Sequence, residues 1–373
     1  MDEDLHDDQR VLLDAATRFM EEVHPLTALR DGAHDDPAFA ARYRRQAGEL
    51  GWFSLVVPEE HGGGSVSGNG VADAALVGYR RGRLLQPGAF VGTNVVVRTL
   101  AVAGTDHQRA SVLPALMAGE VGAAFAVMAP PGDPALHGAV HGTATAGGLR
   151  LDGTATFVED AGPGGWYLVT VAADAGPSLV LLPADTPGLT VVPKASLDLS
   201  RRFVELRVEG CEVGADALVG AAGDAGLIAD AFALACTLLV AETAGAMAAE
   251  HEMTTQYAKD RIAFGRPIGS FQAIKHNLAD TSLQLELSLA LAAAAAERTG
   301  LADGYHCEAA SIAKAFVGDA AVELAQECFQ VFGGIGYTWE HDQHLYLRRL
   351  TTDASFLGGP AFHRERLCRL SGI

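Results

Sequence analysis

The spacing of apolar positions divides the chain into stretches of different period. From Gln9 to Glu22 apolar and polar residues alternate at helical spacing, and the pattern stops before Pro25. Pro37 to Gly48 and Val71 to Arg83 repeat it, so the first third is expected to be mainly helical. Between them, the loop from Val57-Pro58 through Gly62-Gly63-Gly64 to Gly68 is too rich in glycine for a regular element. The character changes near Leu113-Pro114 and Gly119-Glu120. From about Gly122 to Val219 the period falls toward two, and Gly, Thr and Val become frequent. Leu149 to Thr154, Trp166 to Val171, Ser178 to Leu182, Leu189 to Val192 and Phe203 to Val208 are predicted strands. Short strands separated by turn signals suggest a compact antiparallel sheet or barrel.

Helical patterning then returns. The most apolar segment, Gly226 to Ala249, is interrupted by Asp230 and Glu242, which makes it a buried helix rather than a membrane span. Its continuation to Asp260, rich in Ala, Glu, Met and Gln, extends the helix. Leu289 to Glu297 and Ala309 to Phe329 are further helical stretches. The plan is an α+β multidomain chain: an N-terminal helical domain over residues 1–120, a middle antiparallel β domain over 121–222, and a C-terminal helical bundle over 223–373.

Composition narrows the function. The chain has 373 residues, about half of them hydrophobic, enough for more than one core. A net charge of −19 argues against a nucleic-acid partner, although a small anion feels only its local site. The five cysteines are scattered without close metal-ligand spacing, so neither a disulfide framework nor a metal centre is expected. The acidic N-terminus lacks the basic-then-apolar pattern of a secretion signal, and a cytoplasmic location is the expectation.

Two segments carry chemistry. In Arg261-Ile262-Ala263-Phe264-Gly265-Arg266-Pro267-Ile268-Gly269-Ser270-Phe271-Gln272, the glycine and proline stop one helix and Phe271 begins another. An arginine in a last helical turn can grip a phosphate through its planar fork of donors. In Gln330-Val331-Phe332-Gly333-Gly334-Ile335-Gly336-Tyr337, the paired glycines end a helix and let a ligand approach the backbone.

Together these segments resemble the two flavin-gripping signatures of the acyl-CoA dehydrogenase family. The likeness extends to Leu345-Tyr346-Leu347-Arg348-Arg349, to the Val57–Gly63 loop and to Leu197-Asp198-Leu199-Ser200-Arg201, and so covers nearly the whole chain. It implies FAD at a subunit interface of an oligomer such as a tetramer, the ADP portion reaching across to a neighbour. Arg261, Phe264, Gln272, Gln330, Gly333 and Gly334 would then be cofactor-binding residues. It also implies α,β-dehydrogenation of an acyl-CoA thioester, with proton transfer to a carboxylate base, hydride transfer to flavin N5, and an electron-transfer flavoprotein as a family partner.

The sequence departs from the family where the reaction occurs. The usual glutamate position falls on Leu357, and the family's other location falls near Ala235. Glu242, Asp353 and Asp280 remain, and Glu242, isolated among apolar residues, is taken as the candidate base. Beside the flavin ring the family's hydroxyl-bearing segments are replaced by Val127-Met128-Ala129-Pro130-Pro131-Gly132-Asp133 and Thr156-Phe157-Val158-Glu159-Asp160-Ala161. Some actinobacterial members that shorten CoA-linked steroid side chains pair two different subunits, and this chain resembles them in its Gly334–His341 run. Three readings follow: a homo- or hetero-oligomeric FAD-dependent dehydrogenase, a weakly active or non-catalytic subunit that completes a partner's FAD site, and diverted flavin chemistry on a carrier-bound acyl group.

Overall fold

The computed structural model describes residues 5–302 and 304–373. Its first layer is helical: α1 (Asp7–Val23), α2 (Leu26–Arg30), α3 (Pro37–Glu49), α4 (Gly70–Arg83), α5 (Phe90–Ala103), α6 (Asp106–Ser111) and α7 (Leu113–Met117). Asp36, Asn69 and Thr105 cap α3, α4 and α6 by accepting from the backbone amides of Ala38, Ala72 and Gln108. The helical period anticipates α1, α3 and α4. It misses α5, which is buried on nearly every side and so carries no polar stripe to reveal its pitch.

The middle of the chain forms an eight-stranded sheet and a separate two-stranded ladder. β1 (Ala123–Ala126) is followed by the short ladder of β2 (Met128–Ala129) and β3 (Asp133–Pro134). Then come β4 (Val140–Thr145), β5 (Gly148–Glu159), β6 (Trp166–Ala173), β7 (Gly176–Pro183), β8 (Leu189–Lys194), β9 (Phe203–Gly214) and β10 (Leu218–Val219). The spatial order is β10-β7-β6-β4-β5-β9-β8, with β1 also on β6. Most pairs are antiparallel, but β6 runs parallel to both β1 and β4. The sequence reading missed β4, which turns back directly into β5 through Thr145 and Gly148 and leaves its other edge for β6. Alternate side chains, among them Val140, Leu151, Val169, Val171, Leu206 and Val208, fill the sheet's own core.

The last layer comprises α8 (Ala225–Asp260), α9 (Gln272–Leu301), α10 (His306–Phe332), α11 (Gln343–Ser355) and α12 (Pro360–Leu370). α8 is long and apolar enough to cross a membrane, yet 72% of its most apolar window is buried within the protein. It packs on α4, α5, α9, α10 and α11 and is the axis of the molecule. Between α8 and α9 the predicted helix break is a tight hairpin of β11 (Ile262–Ala263) and β12 (Arg266–Pro267). Both tip residues, Phe264 and Gly265, have positive φ (54° and 77°), as a two-residue type I′ turn requires.

Glycines bring α4 and α8 into backbone contact. A Cβ on Gly82 would lie 1.8 Å from the Glu242 carbonyl oxygen, and one on Gly245 would lie 1.9 Å from that of Tyr79. This closeness sets Arg81 beside Glu242. Gly245→Ala is therefore expected to push the helices apart and to destabilise the chain by about 1–3 kcal/mol, read as a lowered unfolding midpoint in urea.

Candidate functional site

The C-terminal ends of α8 and α10 meet at an aromatic contact, with Tyr257 and Phe332 ring centroids 4.8 Å apart. Arg261 caps α8 and Gly333 caps α10, so the two chemistry-bearing segments share one end of the bundle. Phe264, at the hairpin tip, is 95% exposed. Behind it, Phe271 stands edge-on at 6.2 Å, with the Arg266 guanidinium 4.1 Å above the Phe271 ring. Gln272, the first residue of α9, and Gln330, in the last turn of α10, are both exposed. Gly333 holds φ +60°, and a Cβ placed on Gly333 or Gly334 would meet nothing within 4 Å. A guanidinium, two carboxamides, an exposed ring and an uncovered glycine backbone are a donor set suited to a pyrophosphate and a flat adenosine. The ADP portion of FAD fits these residues.

The ring side does not fit in the same way. Met128 is buried, and Phe157 packs edge-on against Phe203 at 6.1 Å. Phe203 in turn meets Phe356 at 5.2 Å, and the Arg201 guanidinium lies 5.6 Å over that ring. Glu159 stands in the segment where a hydroxyl was expected, and both of its oxygens are engaged by Arg201 Nη1 and the Gly92 amide, each at 2.9 Å.

The two positions where the family sets its base are apolar and closed. Leu357 and Ala235 are each 1% exposed and belong to one hydrophobic cluster with Phe232, Leu234 and Phe356. Leu357 holds φ +59°, unusual for a branched side chain, and its turn is pinned from below. Lys314 Nζ donates to the carbonyls of Asp353, Ala354 and Gly358 at 2.9, 3.0 and 3.0 Å. The His363 ring nitrogen Nε2 lies 2.9 Å from the Leu357 carbonyl; burial pushes this imidazole down to about 3, so it is neutral and donates there.

The structure corrects the assignment of Glu242 as base. Its isolation among apolar residues is a property of the sequence, not of the fold. Arg81 Nε donates to one carboxylate oxygen at 2.9 Å, while Arg201 Nη2 and Arg349 Nη2 donate to the other at 2.7 and 3.0 Å. Burial alone would raise its pKa, but the guanidinium groups of Arg201, Arg349 and Arg81 outweigh burial and hold it at about 2. Such a carboxylate is a poor proton acceptor at neutral pH. Asp353 is engaged likewise by Arg201 Nε at 2.8 Å and Arg349 Nε at 3.0 Å. Glu159 pairs with Arg201 and feels Arg81 more weakly, but burial, the largest effect, and the nearby Glu242 charge raise its pKa. Asp280 is exposed on α9. Sequence reasoning missed Arg81, Arg201 and Arg349 as the partners of these acids. Each belongs to an Arg-Arg doublet, and the sequence does not say which member turns inward.

Residues 225–369 match the acyl-CoA dehydrogenase C-terminal domain, and residues 6–120 match the N-terminal domain of that family. The chain is 34% identical over 326 residues to acyl-CoA dehydrogenase IpdE2 of Mycobacterium tuberculosis, covering 86% of this chain and 83% of that one. It is also 34% identical over 330 residues to acyl-CoA dehydrogenase FadE34 of the same organism, covering 86% of this chain but only 41% of that longer relative. Among solved structures, it matches a chain of the ChsE4-ChsE5 complex from Mycobacterium tuberculosis with a TM-score of 0.88 at 25% identity, covering 100% of this chain and 99% of the other.

The charge on Glu242 has a measurable consequence. Its depressed pKa contributes stability that is present above pH 4.5 and is lost as pH falls through about 2. Glu242→Gln leaves three buried guanidinium groups short of an anion and is expected to cost about 3–5 kcal/mol at pH 7. In urea titrations between pH 7 and pH 2, the variant should also lose stability less steeply toward acid than the native chain.

Proposed function

Because the chain belongs to the acyl-CoA dehydrogenase family, we propose that it serves FAD-dependent α,β-dehydrogenation of an acyl-CoA thioester as the ADP-gripping subunit of a hetero-oligomer. A related partner subunit supplies the base and the ring contacts. The observation that carries this reading is Leu357: the base position is a closed apolar turn, while the Arg261–Gly334 surface stands open. A self-sufficient homo-oligomer would need a base, and the buried acids nearby, Glu242, Asp353 and Glu159, are each held by guanidinium groups. The ChsE4-ChsE5 neighbour is itself a complex of two proteins, which supports a two-chain assembly.

In this role Arg261 pairs with the pyrophosphate, Gln272 and Gln330 offer amide donors, and Gly333 and Gly334 let the adenosine end lie against the backbone. Phe264 adds an aromatic face. FAD, when bound, supplies the hydride acceptor, and that chemistry is the cofactor's. The proposed assembly works in the cytoplasm and hands its electrons to a flavoprotein carrier.

The test is expression of the chain alone and together with a candidate partner of the same family from the same genome. Alone, it should carry little flavin and show no bleaching by acyl-CoA, whereas the copurified pair should be yellow and bleach. In the pair, Arg261→Ala should weaken FAD binding by about 10-fold or more, the worth of a charge-assisted hydrogen bond. Stoichiometric FAD and turnover by the single chain would sink the proposal.

A further inference from the structure

Beneath the open turn at Gly333–Tyr337 lies a polar pair that neither signature segment includes. Gln343 opens α11, and its side-chain NH2 donates to a carboxyl oxygen of Glu250 on α8 and to the Ala325 carbonyl on α10 at 3.3 Å. Both side chains are fully buried. Among the described residues, Glu250 Oε2 and Gln343 Oε1 have no hydrogen-bond partner. Gln343 also supports the turn directly, since a Cβ on Gly336 would lie 3.4 Å from Gln343 Cγ. Its backbone amide donates to His341 Nδ1 at 3.1 Å, and the His341 ring packs on Phe332 at 4.4 Å. Phe332 meets Tyr257, so contacts run from Glu250 to the residue before Gly333 and to one a helical turn before Arg261.

We propose that Glu250 is a positioning residue which, through Gln343, fixes the pose of the Gly333–Tyr337 turn and so sets how tightly the chain holds an ADP-bearing cofactor. The inference rests on the ADP-gripping role proposed above. The chemistry favours a neutral carboxyl. As an acid, Glu250 carries a proton that one of the two unpartnered oxygens can share with the other. As an anion, it would be a buried charge with one neutral amide for company. Burial raises its pKa to about 8, opposed only by the Gln343 amide. Cys328 on α10 and Tyr346 on α11, the titratable groups that feel its charge, are both kept neutral by burial. The layer is therefore intact while Glu250 keeps its proton, and proton loss places a charge under the turn.

The experiment titrates the copurified pair, stripped of its flavin, with ADP as probe from pH 7 to pH 9.5, for the native protein and for Glu250→Gln and Glu250→Leu. Native affinity should hold to about pH 8 and then fall by about tenfold per pH unit, as loss of one required proton dictates. Glu250→Gln, neutral at every pH, should bind without that fall, and Glu250→Leu should bind weakly throughout. An equal decline in native and Glu250→Gln protein would overturn the proposal. Absence of ADP binding by any form at pH 7 would instead defeat the ADP-gripping role. Amide hydrogen exchange at Gly333–Tyr337 then decides positioning on its own: faster exchange in native than in Glu250→Gln protein at pH 9 supports it, and equal protection refutes it.

Discussion

The carboxylate of Glu242 sits where the helical layer, the sheet and the bundle meet, and its neutralisation is the constraint on which the rest depends. Arg81 reaches it from α4, Arg201 from the segment before β9, and Arg349 from α11. None of these groups could be buried alone, because an unpaired charge in a dry interior is far more costly than any packing gain it brings. Each layer therefore needs the other two to complete its electrostatics. The glycine contacts between α4 and α8 serve the same end, since they bring Arg81 within reach of its acid. Arg201 extends the arrangement to Glu159 and Asp353, so the acids closest to the closed base turn are those that hold the layers together.

In the proposed role, that arrangement would separate two properties that the family joins in one site. Cofactor grip would fall to the far ends of α8 and α10, where the donors are exposed and the glycine backbone is bare. Proton abstraction would lie at the turn after α11, and there the chain has a leucine, while Glu242, Asp353 and Glu159 are taken up in ion pairs. The backbone of that turn remains firmly held, with Lys314 saturating three carbonyls and His363 a fourth.

What the sequence made legible follows from range. α1, α3 and α4 repeat at helical spacing and were readable, as were the five strands whose alternation is local. α5 and β4 were not: the first is buried all round, and the second alternates with glycine and histidine rather than with a clear apolar face. The hairpin at Phe264-Gly265 was hidden because glycine and proline report that a helix stops without saying what replaces it. The cluster around Glu242 was the least accessible, since its arginines lie 161, 41 and 107 residues away in the chain. Motif likeness singled out two segments that the fold brings to one end of the bundle, because glycine, arginine and glutamine there are recognisable from local sequence. It assigned a role to Glu242 poorly, because that role is decided by partners.

The type I′ tip of the β11–β12 hairpin carries a thermodynamic implication. Two consecutive left-handed residues leave the backbone at Phe264 few alternatives, and the Phe271 ring, itself covered by Arg266, stands behind it. The most exposed aromatic ring among the described residues is thus carried on a backbone with little freedom left to lose. A ligand meeting such a surface finds its ordering already done by folding, and the entropy of association is correspondingly less unfavourable. Differences in affinity at this surface would then appear in the rate of departure rather than in the rate of arrival.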